Sequence, residues 1–241
     1  MKKRHNFGFT LAEVLITLAI IGVVAAMTLP TLIQNQQKRS LEVATQKFYS
    51  NMSQAVKKYM ADEGVDDLRN TPLTDNVGTD ESYDKAQKAC EDFIQKYLKV
   101  VKVCEDGCFA DNYIRQDGEI SSDIGTNKTT TGKFVLSDGA VLDIYAGDIE
   151  YQIPIYLYVD INGKKGPNKV GYDLWSMDIF YDGSIDESQL NPDCKKDNKN
   201  CNSYYGNSPK EIRDKRFDEC KEYSYGGCFG HFLENGFKFD Y

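Results

Sequence analysis

Residues 9–33 form an apolar stretch in which Glu13 is the only charged residue, and the next charge does not arrive until Lys38. As a helix this stretch would run about 37 Å at ~1.5 Å per residue, enough to cross a hydrocarbon core of ~30 Å. Lys2, Lys3 and Arg4 precede it. By the positive-inside rule that basic cluster stays on the cytoplasmic side and everything after Ile33 crosses the membrane. Beyond Pro30 the pattern turns amphipathic. Leu41, Ala44, Phe48, Met52, Ala55, Val56 and Tyr59 recur at three- and four-residue spacings, while Lys38, Arg39, Glu42, Lys47, Lys57 and Lys58 fall largely on the opposite side, which predicts a helix with a core-facing stripe. It should run to about Asp62 and stop at Gly64.

Residues 66–80 are polar and turn-rich, and a second helix is predicted over 82–98 from Ala86, Ala89, Cys90, Phe93, Ile94, Tyr97 and Leu98. The period then shortens. Segments 133–136, 140–145, 155–161 and 178–181 read as strands, with Ser137-Asp138-Gly139 as a hairpin turn. Residues 191–207 are almost wholly polar; Ser208-Pro209-Lys210-Glu211 has the pattern of a short helix start, and Asn235-Gly236 that of a turn returning 237–241 as an extended segment. Helix first and strands afterwards predict an α+β fold: a long N-terminal helix, half transmembrane and half amphipathic, packed on an antiparallel β-sheet head.

Composition narrows the chemistry. The chain has 241 residues, 41% hydrophobic and 27% charged, ordinary for a globular protein. Lys+Arg 29 against Asp+Glu 37 gives net charge −8, so a phosphate backbone would repel the chain as a whole, and nucleic-acid binding by bulk charge is excluded. The two histidines, His5 and His231, leave little material for a histidine-dependent triad or a catalytic metal site. No GxSxG or P-loop occurs, and no nucleophile stands out by its neighbours. The expectation is a protein without catalytic residues. Aromatic residues are 12% of the chain, with tyrosine commonest; that suits a sugar- or protein-binding surface and equally a sheet packed with tyrosines.

Glu13 is the residue that a plain anchor does not explain. A carboxylate inside an apolar membrane segment costs on the order of 2.5–3.5 kcal/mol, and such groups usually face a partner. One solution is for the side chain to reach back to the polar interface. The local order offers another. Gly8-Phe9-Thr10-Leu11-Ala12-Glu13-Val14-Leu15-Ile16 resembles the processing site of the prepilin family, in which a dedicated peptidase cuts after the glycine and the new N-terminus is methylated. The resemblance implies that Phe9 becomes the first residue and Glu13 the fifth. The α-amino group of one subunit can then sit against the Glu13 carboxylate of its neighbour, because opposite charges within ~4–6 Å favour both ionised forms. Pro30 stands where pilin helices commonly carry a proline, which would kink or unwind the helix; a plain helix stop is the alternative. Val24-Ala25-Ala26 before Met27 is a competing signal-peptidase site, although it would strand Glu13 within the signal.

The resemblance is specific over residues 3–33. It implies a leader at 1–8, a membrane and filament-core helix at 9–33, and an exported pilin-like head at 34–241. The implied protein is a filament subunit of a type II secretion pseudopilus or a type IV pilus, single-pass in the inner membrane before assembly, with its head in the periplasm or at the cell surface. Its implied partners are other pilin-like subunits, the prepilin peptidase and an inner-membrane assembly platform. The alternative is a membrane-tethered module that binds a glycan, a protein or calcium without polymerising.

All seven cysteines, Cys90, Cys104, Cys108, Cys194, Cys201, Cys220 and Cys228, lie in the part expected to be exported, where an oxidising compartment favours disulfides. The short separations of Cys194 from Cys201 and Cys220 from Cys228 would staple a disulfide-rich C-terminal region. An odd number leaves at least one thiol unpaired or paired between chains. Cys104 with Cys108, and Cys220, Cys228 and His231, are the residues a zinc site would use, but no CxxC knuckle is present. In the segment 160–173, Asp160, Asn162, Asn168 and Asp173 carry side-chain oxygens among glycines and could wrap calcium. A calcium-free turn built on Asn162-Gly163 and Gly166-Pro167 is the competing expectation.

Overall fold

The structure is a computed structural model that describes residues 10–75, 79–104, 107–121, 132–148, 154–198, 201–222 and 226–241. Gly8 and Phe9, and the basic cluster before them, lie outside the described residues. The chain divides into two compact units, Met1–Ser40 and Leu41–Tyr241.

Helix α1 spans Leu11–Glu63 with Pro30 inside it. The reading of Pro30 as a helix stop is therefore overturned. Proline removes one N–H from the ladder and the flanking hydrogen bonds carry the helix through, with neither a break nor an unwound turn at this position. In the first unit the side chains of Leu11, Leu15, Ile16, Leu18, Ile20, Ile21, Leu29, Leu32 and Ile33 are exposed, and the helix is long and apolar enough to cross a membrane. At the other end, Val65 N–H donates to the Met60 carbonyl at 3.0 Å and Gly64 N–H to that of Ala61 at 3.3 Å. With Gly64 at φ +68, this is a Schellman stop at the glycine marked by the sequence.

In the second unit the predicted stripe of α1 is buried, with Phe48, Met52, Ala55, Val56 and Tyr59 in the main core. Glu42, expected on the polar side, is buried as well. Its carboxylate accepts from Lys238 Nζ at 2.8 Å and from the Phe239 amide at 3.0 Å. The C-terminal segment covers that side of the helix, which its helical spacing could not reveal.

A 3-10 turn at Leu68–Asn70 follows, and the remaining elements are β1 (Thr74–Asp75), α2 (Asp80–Tyr97), β2 (Val100–Cys104), β3 (Tyr113–Ile114), β4 (Ile120–Ser121), β5 (Lys133–Leu136), β6 (Val141–Asp148), β7 (Ile155–Asp160), β8 (Leu174–Ile179), β9 (Ile185–Asp186), α3 (Pro192–Asp197), α4 (Pro209–Glu222) and α5 (Cys228–Glu234). The main sheet runs β2-β5-β6-β7-β8-β9. These neighbours are antiparallel, and β1 adds a short parallel pairing to β6. The α+β, pilin-like layout is thus present. Strand β8 begins and ends earlier than the predicted 178–181, because Phe180 and Gly183 close the turn to β9: Phe180 N–H reaches Ser184 O at 2.8 Å and Gly183 N–H reaches Phe180 O at 2.9 Å. Residues 237–241 form no strand; Phe239 instead stacks on Tyr172 at 4.8 Å.

Register assigns the faces of the sheet. Leu142, Val159 and Trp175 are cross-strand partners, as are Ile144, Leu157 and Met177, and all six join the core that includes α1. The alternate positions, with the rows Asp143–Tyr158–Ser176 and Tyr145–Tyr156–Asp178, take the other face.

Candidate functional site

Glu13 occupies the first turn of α1. Its Oε2 accepts from the Thr10 amide at 2.8 Å and the Thr10 hydroxyl at 2.9 Å, while its own amide donates to Thr10 Oγ1 at 3.2 Å. This is a reciprocal capping box: two N–H groups that the helix start leaves without partners are satisfied by side chains. Sequence reasoning named Glu13 but missed Thr10, although a threonine three residues before a glutamate is a visible signal for such a cap. Pro30 lies further along the same helix, so the two residues expected to serve assembly share one element and make no site with each other.

The loop after β7 brings Asp160 and Asp173 into the interior, where both are fully buried. Asp160 Oδ2 accepts from the Tyr113 hydroxyl at 2.6 Å and Oδ1 from the Asn162 amide at 3.1 Å. Asp173 accepts from the Asn168 amide at 2.7 Å and the Lys169 amide at 2.6 Å. Every carboxylate oxygen is therefore engaged by a protein donor. Buried Asn162 Oδ1 and Asn168 Oδ1 accept no hydrogen bond, and two amide oxygens by themselves fall well short of the roughly six to eight oxygens calcium takes. The set Asp160, Asn162 and Asp173 fits a hydrogen-bonded brace better than a calcium cage. Among the described residues no group of three or more His, Cys, Asp or Glu could hold a metal ion. Tyr113, distant in sequence, was not legible as the partner of Asp160.

Burial pushes the Asp160 carboxyl up to about 7 and that of Asp173 up to about 6, against the Tyr113 and backbone hydrogen bonds that favour their ionised forms. Burial likewise lifts Asp178 to about 8. Because these carboxyls hold protons in the native state that the unfolded chain has lost above its ordinary value near 3.8, their contribution to stability falls as pH rises from about 4 to about 8. The thermal midpoint of the head should be lower at pH 8 than at pH 5.5, and Asp178→Asn should flatten that slope. Circular-dichroism melts of the two proteins across this range check it, and a midpoint rising with pH would contradict it.

The cysteines resolve into three disulfides, Cys104–Cys108, Cys194–Cys201 and Cys220–Cys228. The zinc readings of Cys104 with Cys108, and of Cys220 and Cys228 with His231, are corrected accordingly, since thiols joined in cystines offer no thiolate. His231 instead stacks on Phe217 at 3.8 Å and pairs with Asp240 at 2.9 Å. Cys90 is the odd thiol and is fully buried on α2, where burial raises its pKa well above the ordinary thiol range.

Comparison with known proteins agrees with this division. Residues 3–29 match the prokaryotic N-terminal methylation motif. The type II secretion system core protein G of Aeromonas hydrophila is 31% identical over 80 residues, covering 30% of this chain and 55% of that protein; the chain thus spans about half the length of this relative. No solved structure matches. These likenesses support a prepilin-like chain with an N-terminal segment suited to membrane anchoring. The family described as "Family of unknown function (DUF6613)" matches residues 31–224, most of the chain, so this protein belongs to that family and carries a prepilin-type methylation segment ahead of it.

Proposed function

We propose that the protein is processed after Gly8 by a prepilin peptidase and polymerises through its apolar helix into a pseudopilus or type IV pilus. The observation that carries this reading is Glu13, the only charge in residues 9–33. Its apolar neighbours on α1 are exposed, as a helix destined for lipid and then for a filament core requires. A carboxylate in such surroundings is costly unless a cation meets it, and the α-amino group released at Phe9 on a neighbouring subunit supplies that cation. The basic residues before the segment hold it with the head outside the cytoplasm. The likeness to a type II secretion core protein favours the pseudopilus of the two filaments. The work is mechanical: subunits enter from the membrane at an assembly platform and extend the filament.

Mass spectrometry of the protein recovered from its own membranes provides the test. The expected mass begins at a methylated Phe9. A chain beginning at Met27, or one retaining residues 1–8, would overturn the proposal.

A further inference from the structure

The face of the sheet turned from the core carries a cleft of about 510 Å³. Tyr145, Tyr156 and Tyr158 line it from adjacent strands, Tyr83 lines it from α2, and Asp178 and Arg216 also line it. The volume suits one or two sugar rings, within the usual ~300–1,000 Å³ of small-molecule sites. Tyr145 and Tyr158 meet edge to face at 6.1 Å, so the wall is aromatic, while the residues beneath are polar.

Two atoms decide what this cleft would take. Asp178 is 1% exposed, and its Oδ2 accepts no hydrogen bond. Arg216 pairs with Glu219 at 2.5 Å and with Glu187 at 3.5 Å, yet its buried Nε donates to nothing. A carboxyl oxygen and a guanidinium N–H thus lack partners among the residues lining one cleft, where an unmade hydrogen bond is costly. Asp178 holds its proton at neutral pH and gives an ammonium ligand no counter-charge, while Arg216 already has the carboxylates of Glu187 and Glu219 beside it and gives a carboxylate or phosphate little net attraction. A hydroxyl both donates and accepts, so a neutral polyol serves both, directly or through a bridging water. Tyrosine faces offer the apolar side of a sugar ring the surface it needs. We infer that the tyrosine-lined cleft over Asp178 and Arg216 is a binding site for a neutral saccharide. This inference is independent of whether the protein polymerises.

The test uses the full chain in a polyoxyethylene detergent, which carries no sugar headgroup. Saturation-transfer NMR is recorded with lactose, maltose, cellobiose, mannobiose and N,N′-diacetylchitobiose, and with tetramethylammonium and inorganic phosphate as charged probes. At least one disaccharide should bind, and Tyr158→Ala should weaken it at least tenfold. Tyr83→Ala, at the exposed rim, should weaken it too without endangering the fold, which near-ultraviolet circular dichroism verifies. Failure of all five sugars to bind, binding indifferent to the Tyr83 change, or stronger retention of either charged probe would overturn the inference.

Discussion

A chain carrying Glu13→Gln should insert into the membrane and still be cleaved after Gly8, yet enter filaments at least about tenfold less efficiently than the parent. The glutamine is chosen because the proposal gives Glu13 a second job besides the cap that it makes in the structure. In the capping box with Thr10 glutamine serves nearly as well as glutamate, so the helix start survives. What glutamine cannot do is meet the α-amino group of a neighbour. Opposite charges brought within a few ångströms in surroundings drier than bulk water attract strongly, and a tenfold change in an equilibrium needs only a modest part of such an attraction. Thr10→Ala makes the opposite cut: it should cost the helix start about 1 kcal/mol and leave assembly largely intact. Quantifying subunits in sheared filaments against those left in the membrane separates the two. Assembly of the glutamine variant at the parental level would remove the charge from the mechanism.

Gly227→Ala should destabilise the head by more than about 3 kcal/mol. Gly227 has φ +96, and a Cβ there would lie 2.0 Å from the Arg216 carbonyl oxygen and 2.8 Å from its carbon. Backbone cannot yield at that distance without moving α4 away from α5, which the Cys220–Cys228 disulfide ties together. The shift would also break the hydrogen bond from the Gly227 amide to Glu187 Oε1, 3.1 Å long. Glu187 is fully buried, so a lost donor there carries the full desolvation penalty. Gly236→Ala is the control: its φ is +64 but nothing lies within 4 Å of the added carbon, and about 1–2 kcal/mol of left-handed strain is all that is expected. Urea denaturation with the disulfides intact compares them, and equal losses would contradict the steric account.

Much of the fold was legible because its signals are local. The apolar run ahead of Lys38, the stripe from Leu41 to Tyr59, the stop at Gly64 and the turn at 137–139 each depend on neighbours a few residues away, and all recur in the structure. The helix start at Ser208-Pro209 also held, although α4 continues to Glu222 and is not short. Strand β2 and helix α3 escaped notice. The first is a sheet edge with Val101 and Val103 exposed, so it lacks the burial alternation that marks a strand; the second lies within a polar stretch, with an Asn191 cap as its clearest sign.

By itself the sequence determined that a single acidic group sits in a membrane-length apolar segment, that a processing motif precedes it, and that an α+β head follows. These are properties of order and period along one chain. Only the tertiary structure decided that Glu42 is covered by the C-terminal segment, that Tyr113 and Asp160 meet, that six cysteines form three short loops while Cys90 stays buried, and that four tyrosines converge over Asp178 and Arg216. Such pairings join residues far apart in the chain, and which side chains meet depends on strand register and on which faces are covered, neither of which leaves a mark in the local spacing.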